Sequence, residues 1–205
     1  MTQQTNLPAD TARLVGVTVM HPCLPPMPKG KRPGSDREQY SVEAILIEGT
    51  PAYAAAQAAQ AAAVKAKWPG SPPANLKLAI KDPQAPSLTR ADGGPARRGE
   101  AYENSDGTGK RWYLRAASVY DFPVWIGRDK LTPKPEDIYS GGVWLLIVKF
   151  AAYSSPSTGS GVTCYLSAAW RTGVGRVIAT GGSGVNPDAL SGDDVKFDDG
   201  DDILG

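Results

Sequence analysis

Basic and aromatic side chains alternate in the middle of the chain. Between residues 90 and 134 there are nine Lys or Arg residues and six aromatic residues. Unpaired bases stack on flat side chains for roughly 1–3 kcal/mol each, while neighbouring cations neutralise the phosphates. Neither interaction depends on base sequence, so the pattern predicts a surface that holds unpaired polynucleotide, such as single-stranded DNA. The candidate contact residues are Lys31, Arg32, Arg97, Arg98, Tyr102, Lys110, Arg111, Tyr113, Arg115, Trp125, Arg128, Lys130, Lys149 and Tyr153.

Side-chain alternation along a strand separates candidate contacts from candidate core residues. In the strand predicted over 111–119, Arg111, Tyr113 and Arg115 share one face, whereas Trp112 and Leu114 share the other. The second set is more apolar and is assigned to the core. We therefore expect Tyr113, between two arginines, to be the principal stacking residue.

The same rule applies to the long strand predicted over 143–153. It places Lys149 and Tyr153 on one face, where they are expected to line a groove near the following hairpin. Trp125 lies in a predicted loop and fits either a core or a contact role. The basic loop with Lys29, Lys31, Arg32 and Arg37 either closes over the groove as a flap or is a solvated run of charge.

The net charge of +1 conceals an uneven distribution. Residues 186–205 contain seven Asp and one Lys, a balance of −6, so residues 1–185 carry +7. A basic body with an acidic end is typical of a protein that handles a polyanion and regulates access to it. We expect a disordered tail over 183–205 that competes with weakly held strands and binds partner proteins through its apolar residues. Its candidate residues are Asp193, Asp194, Phe197, Asp198, Asp199, Asp201, Asp202 and Ile203.

The motifs that would indicate an enzyme are incomplete. Residues 107–111 resemble a phosphate-binding loop but lack its first glycine and its Ser or Thr, and 173–175 lack the third glycine of a dinucleotide fingerprint. His21 has no acid or nucleophile near it in the sequence. Two cysteines, Cys23 and Cys164, are too few for a structural zinc site. We therefore expect a non-enzymatic protein without cofactor or metal.

Hydrophobic periodicity predicts a β-rich chain with one helix. Strands are expected over residues 13–20, 38–47, 76–82, 111–119, 143–153 and 162–170. Thr50 can cap an alanine-rich helix that Pro69 terminates, and we expect this helix to lie across one end or face of the sheet rather than to form the core. The Pro-rich segment 21–36 is expected to lack regular structure, and residues 83–110 to form a long loop.

These elements fit a mainly β, five-stranded Greek-key barrel of the OB type with one inserted helix better than a two-sheet sandwich. The expected organisation is a flexible N-terminus over 1–9, an OB-fold domain over 10–182 and the disordered acidic tail over 183–205. The sequence has no signal-peptide pattern and no apolar stretch near the roughly 18 residues of a membrane span. A cytoplasmic protein without membrane contact is expected.

Three segments carry a resemblance to a known family. They are Gly-Lys-Arg-Trp-Tyr-Leu-Arg-Ala-Ala-Ser at 109–118, Pro-Glu-Asp-Ile-Tyr-Ser-Gly-Gly at 135–142, and Phe-Ala-Ala-Tyr at 150–153. In these segments the chain resembles a family of bacteriophage single-stranded DNA-binding proteins. The run Asp-Asp-Ile-Leu at 201–204 also resembles the acidic tips of bacterial and phage single-strand binders, although the sequence continues to Leu-Gly rather than to an aromatic residue.

The resemblance implies an OB-fold protein that coats and protects unwound DNA during phage replication or recombination. It further implies the absence of a cofactor and a tail that recruits replication or recombination proteins. The alternative is a phage structural or assembly protein, which would have a similar β-rich composition but needs neither a basic body nor an acidic tail. A nuclease would need clustered carboxylates in a folded pocket, and the sequence indicates none.

Overall fold

The computed structural model describes residues 7–31, 37–86, 92–103 and 107–178. Arg32 and the acidic tail lie outside these ranges. The helix α1 spans Pro51–Lys67, and short 3-10 helices span Glu100–Tyr102 and Pro135–Asp137. The strands are β1 (Thr11–Cys23), β2 (Gly30–Lys31), β3 (Glu38–Ile47), β4 (Ile80–Lys81), β5 (Arg111–Ser118), β6 (Val124–Ile126), β7 (Val143–Ser155) and β8 (Gly159–Gly173).

Five of the strands close a barrel. β1 pairs antiparallel with β3 and β7, β7 pairs with β8, and β3 pairs with β5. A parallel contact between β5 and β8 completes the ring, with Ala117 opposite Tyr165. The mainly β, OB-like barrel that the sequence predicts is therefore confirmed, with one helix inserted after β3 and additional short strands.

Strand alternation fills the barrel interior as the sequence predicts. On β7, the side chains of Trp144, Leu146, Val148 and Phe150 are fully buried. The residues between them face outward, and Lys149 is exposed. Burial of each such apolar side chain contributes roughly 1.5–3 kcal/mol, so this strand alone anchors much of the core.

The helix α1 lies across β1 and β7. The Thr50 hydroxyl accepts a hydrogen bond from the Tyr53 amide at 3.3 Å, which caps the first turn as expected. Alanines on one side of the helix are buried in the main core, because their small side chains let the helix approach the barrel closely. The expectation that α1 lies across one face of the sheet is confirmed, and this side of the helix adds four alanines to the core: Ala52, Ala56, Ala59 and Ala63.

The segment predicted as a strand over 76–82 forms a regular strand only at β4. The buried Gln60 side chain accepts hydrogen bonds from the amides of Ala79 at 2.9 Å and Ile80 at 3.0 Å. These amides are therefore bound to the helix rather than to a neighbouring strand. Elsewhere regular structure is longer than predicted, since β1 continues to Cys23 and β2, within the Pro-rich segment, pairs with β3.

The Tyr-Ser-Gly segment at 139–141, before β7, crosses the backbone of residues 175–176, which follow β8. Gly141 has φ +99° and donates its amide to the Val19 carbonyl at 2.8 Å. A Cβ on Gly141 would overlap the backbone of Arg176, and one on Gly175 would overlap Gly141. Glycine is therefore required at both positions. Their contact holds the segment after β8 against the segment before β7.

Two kinds of feature are absent from the residues that the structure describes. No helix in this part of the chain is both long and apolar enough to cross a membrane. The same ranges contain no group of three or more His, Cys, Asp or Glu side chains arranged to hold a metal ion.

Candidate nucleic-acid interface

A groove runs between β5, the tip of the β7–β8 hairpin and residues 77–81. We call it the basic groove. Its position between a barrel strand and the loop that joins the last two barrel strands is where OB folds commonly bind oligonucleotides. The charged and aromatic residues that line it are Lys77, Lys81, Arg97, Tyr113, Arg115 and Tyr153.

The hairpin tip and Lys77 are held together by the backbone. The Lys77 amide donates to the Ser160 carbonyl at 3.1 Å, and the Val162 amide donates to the Lys77 carbonyl at 2.8 Å. The Lys77 ammonium donates to the Thr158 carbonyl at 2.9 Å. These bonds fix an exposed cation at one wall of the groove.

Tyr153 lies against the hairpin at the same wall. A Cβ on Gly161 would come within 2.7 Å of the Tyr153 hydroxyl oxygen, so only glycine leaves room for this ring position. Tyr153 and Gly161 are also opposite each other in the β7–β8 pairing. The sequence prediction that Tyr153 lines a groove near the hairpin agrees with this placement.

Tyr113 lies at the groove floor and is only 6% exposed. The 3-10 helix Glu100–Tyr102 covers this face of β5, and the Tyr102 ring packs edge-on against Tyr113 with centroids 6.3 Å apart. Burial raises the pKa of both tyrosines. The expectation that Tyr113 is the solvent-facing stacking residue is therefore wrong, because a segment distant in sequence covers the strand. Tyr102 is likewise buried rather than presented to a ligand.

Arg97 forms a charged network with the buried Glu43. Its Nε donates to Glu43 Oε2 at 2.8 Å, its Nη2 forms an ion pair with Oε1, and the Tyr102 hydroxyl donates to Oε2 at 2.9 Å. Burial alone would raise the pKa of Glu43, but the Arg97 hydrogen bonds and charge outweigh it and hold that pKa below its ordinary value. Arg97 is thus already neutralised, and it anchors the groove wall.

The other cations predicted near this region do not line the basic groove. Arg98 pairs with Asp92 at 2.5 Å, and Lys110 pairs with Asp82 at 2.7 Å. Arg111 donates to the carbonyls of Glu100 and Ala101, at 2.8 and 3.0 Å, on the far side of the covering 3-10 helix. Arg111 links β5 to the 3-10 helix and Lys110 pairs with the residue after β4, whereas the Arg98–Asp92 pair lies within one loop. These side chains therefore lie outside the basic groove, and their predicted role as DNA contacts stays a prediction.

A second depression continues from the basic groove across the junction of β5 and β8. We call it the seam. The two share Gln39, Ala117, Thr163 and Cys164, so they are continuous. The charged and aromatic side chains of the seam are Arg37, Tyr120, Lys149 and Tyr165.

Among the tyrosines that the structure describes, the most exposed rings lie in the seam. Tyr120 is 79% exposed and Tyr165 is 51% exposed. Lys149 lies opposite Tyr165 across the β7–β8 pair, with its ammonium 3.7 Å from an Asp10 carboxylate oxygen. Such an exposed ion pair contributes about 0–1 kcal/mol, so a phosphate can compete for this lysine.

Sequence reasoning missed Lys77, Lys81, Tyr120 and Tyr165 as candidate contacts. Lys77 and Lys81 alternate with apolar residues in the stretch 76–82, and this alternation could have marked them as outward-facing. Tyr165 stands between the buried Cys164 and Leu166, so the alternation on β8 also marked it as outward-facing.

The remaining predicted residues lie elsewhere on the barrel. Lys31 is exposed on β2. Trp125 belongs to β6, which pairs in parallel with β8 beyond the seam, and Arg128 and Lys130 are exposed in the loop that follows. Sequence reasoning left Trp125 open between core and contact, and its partly exposed position is compatible with contact.

The fold and the site together define an OB-type barrel with a cationic, tyrosine-lined surface. The barrel fold alone is similar to that of solved structures of a single-stranded DNA-binding protein from bacteriophage Enc34. The complex of that protein with ssDNA matches with a TM-score of 0.60 and 15% identity, over 83% of this chain and 90% of that one. A second structure of the same Enc34 protein matches with a TM-score of 0.59 and 14% identity, over 88% of this chain and 89% of that one.

A C-terminally truncated form of the Enc34 protein also matches, with a TM-score of 0.57 and 16% identity over 82% of this chain and 88% of that one. No protein-family model matches the chain, and no curated protein matches its sequence. The resemblance that the sequence indicated is therefore confirmed in the fold.

Proposed function

We propose that this chain binds single-stranded DNA, largely independently of base sequence, along the basic groove and the seam. The observation that carries the proposal is the continuity of these two depressions, which places lysines and arginines beside exposed tyrosine rings along one path. That path occupies a position where OB folds commonly bind oligonucleotides. A protein of the same fold, from bacteriophage Enc34, has been solved in complex with ssDNA, which supports the proposal.

The side chains of the path explain a preference for unpaired strands. Tyr165 and Tyr120 offer exposed rings, and a base can stack on them only when its face is not covered by neighbouring bases in a duplex. Lys77, Lys81 and Lys149 lie alongside and can neutralise phosphates. These interactions require no catalytic group or cofactor, so the proposed role is a binding role without enzymatic activity.

The acidic segment 183–205 extends this proposal to regulation. Ile178, the last described residue, packs against the cluster that contains Tyr102 and Tyr113, so the segment is tethered close to the basic groove. A tethered polyanion has a high effective concentration and competes with DNA for the same cations. We further propose that the protein protects unwound DNA during phage replication or recombination in the host cytoplasm, and that the tail recruits partner proteins.

The test is a titration of fluorescent oligo-dT and of a matched duplex at several salt concentrations. We expect tighter binding to oligo-dT and an affinity that falls as salt rises. Tyr165→Ala is expected to weaken binding by about 5- to 150-fold, the equivalent of one lost stacking contact. Lys77→Ala is expected to reduce the salt slope by about 0.7.

Lys67→Ala, at the exposed end of α1, is the matched control and should bind like the wild type. Equal affinity for oligo-dT and duplex would contradict the stacking model. Wild-type binding by Tyr165→Ala would remove the seam from the DNA path.

A further inference from the structure

We propose that Trp125 and Trp170 form a second base-stacking subsite for single-stranded DNA, beyond the seam. We call these two residues, with Arg128 and Lys130, the tryptophan patch. The inference rests on the proposed function and adds a separate contact to its DNA path.

The two indoles are brought together by strand pairing. β6 runs parallel to β8, and Trp125 lies opposite Trp170 in the register. The Trp170 indole Nε1 donates to the Gly127 carbonyl at 2.7 Å, and the amides of Ile126 and Leu131 each donate to the other's carbonyl at 3.0 Å. The rings are therefore held in place before any ligand binds, which reduces the entropy lost on binding.

A single ammonium covers both rings. The Lys130 Nζ lies 5.5 Å from the Trp125 centroid and 5.3 Å from the Trp170 centroid. Lys130 adopts φ +52°, a left-handed conformation that is uncommon for residues other than glycine. This backbone geometry directs the lysine back over the indoles instead of away from the surface.

A stacked base would bind the two indole rings more strongly than the Lys130 ammonium does. A cation over an exposed ring contributes about two- to fivefold to an equilibrium constant, whereas a base stacked on an aromatic side chain contributes about 5- to 150-fold. The base can therefore displace the ammonium from the ring faces. The displaced Lys130 and the exposed Arg128 can then bind the adjoining phosphate. The four-residue loop 127–130 contains two cations and one acid, Asp129, so it keeps a net positive charge.

The tryptophan patch lies on the same outer surface as the seam. Leu145 and Lys149 are separated by four residues on β7, so they face the same side. Trp170 is opposite Leu145 and Tyr165 is opposite Lys149, which places Trp170 and Tyr165 on that side of β8. A β-bulge opposite Ile147 and Val148 adds one residue to β8, so five residues on β8 correspond to four pairing positions on β7, about 13 Å at roughly 3.3 Å per residue. A DNA strand that occupies the basic groove and the seam can therefore reach the patch only if it extends beyond them.

This length requirement gives the experiment. Full-length protein would be titrated with oligo-dT of about 5 and about 16 nucleotides, near the two ends of the range bound by single OB folds. Trp125→Leu is expected to weaken binding of the long oligonucleotide by about 5- to 150-fold and to leave the short one unchanged. Trp125→Phe keeps a ring and should restore most of the affinity. In the wild type, tryptophan fluorescence should be quenched more by the long oligonucleotide.

Two controls separate the subsite from folding and from the proposed function. Trp68→Leu, at the end of α1, removes an indole elsewhere and should not change the length dependence. Arg128→Gln, an exposed substitution, should lower the salt slope for the long oligonucleotide by about 0.7 and leave the slope for the short one unchanged.

Equal effects of Trp125→Leu on both lengths, or no effect on either, would overturn the tryptophan patch as a subsite while the groove and the seam still bind. Wild-type protein that binds neither length would instead overturn the proposed function. Long-oligonucleotide affinity that is unchanged in both Trp125→Leu and Arg128→Gln would leave the patch as a surface for a protein partner.

Discussion

The guanidinium carbon of Arg97 lies 4.9 Å from the centroid of the Tyr113 ring. The same guanidinium is paired with Glu43, so it links the loop that contains residues 92–103 both to β3 and to β5. A cation that is already paired with a buried carboxylate adds little to phosphate binding. Arg97 is therefore better described as a residue that positions the groove wall than as a DNA contact.

Removal of Arg97 should destabilise the protein. Arg97→Ala leaves the carboxylate of Glu43 charged and buried, and breaking such a pair costs about 3 kcal/mol, at the lower end of the usual range because the Arg97 side chain is 33% exposed. Urea denaturation would measure this as a lower midpoint. The double variant Arg97→Ala, Glu43→Gln should recover part of the loss, because no uncompensated charge remains. A midpoint equal to that of the wild type in Arg97→Ala would show that the pair does not stabilise the fold.

Stability should also fall in acid because of Glu43. Its pKa is lower in the folded protein than in the unfolded chain, so the unfolded state takes up protons first as the pH falls. The stabilisation is fully present above the unfolded pKa of about 4.3 and is lost as the pH falls through the lower folded value. The free energy of unfolding, measured from pH 7 to pH 3, should decrease more steeply in the wild type than in Glu43→Gln. Parallel curves would assign the acid sensitivity to other carboxylates, such as Asp82, whose pKa is also lowered in the folded state.

Gly161→Ala tests the position of Tyr153. The new methyl group would lie within 2.7 Å of the Tyr153 hydroxyl oxygen and 3.0 Å of the Lys77 carbonyl oxygen, so the ring must move away from the hairpin. We expect a loss of about 1–3 kcal/mol in stability from overpacking, together with weaker oligo-dT binding. Gly173→Ala is the control, since its methyl group would meet Val143 at an ordinary 3.4 Å. Unchanged DNA affinity in Gly161→Ala would separate Tyr153 from the binding path.

The barrel strands were predictable because their pattern is local. β3 runs over Glu38–Ile47, the range that the alternation predicts, and the alternation on β7 correctly separates the buried Phe150 from the exposed Lys149. Both features depend on the period of two along one strand. The charge and aromatic composition that predicted a polynucleotide surface is likewise a local property of the sequence.

The parts that could not be predicted depend on contacts between distant segments. Tyr113 has an outward position on β5, but the 3-10 helix Glu100–Tyr102 packs over it. Nothing in the sequence near Tyr113 indicates this contact. In the same way, Gln60 on α1 binds the amides of Ala79 and Ile80 and shortens the expected strand. Strand periodicity identifies the two faces of a strand, but it does not identify what packs on them.

Removal of the acidic segment should strengthen DNA binding. A chain ending at Gly182 loses the −6 balance of residues 186–205 and leaves a body that carries +7. Because the segment follows Ile178, which packs against the cluster that contains Tyr113, we expect it to compete with DNA from a high local concentration. The truncated protein should therefore bind oligo-dT more tightly than the full chain at low salt. The difference should shrink as salt rises, because salt screens the attraction of the basic body for the tail and for DNA alike.

The salt dependence separates this competition from other effects of truncation. A full-length chain in which the seven Asp residues of 186–205 are replaced by Asn keeps the length of the segment and removes its negative charge. If electrostatic competition is the cause, this variant should match the truncated protein at every salt concentration. If instead the Asn variant binds like the wild type, the segment acts through its bulk or its apolar residues, and imitation of the DNA charge is not the mechanism.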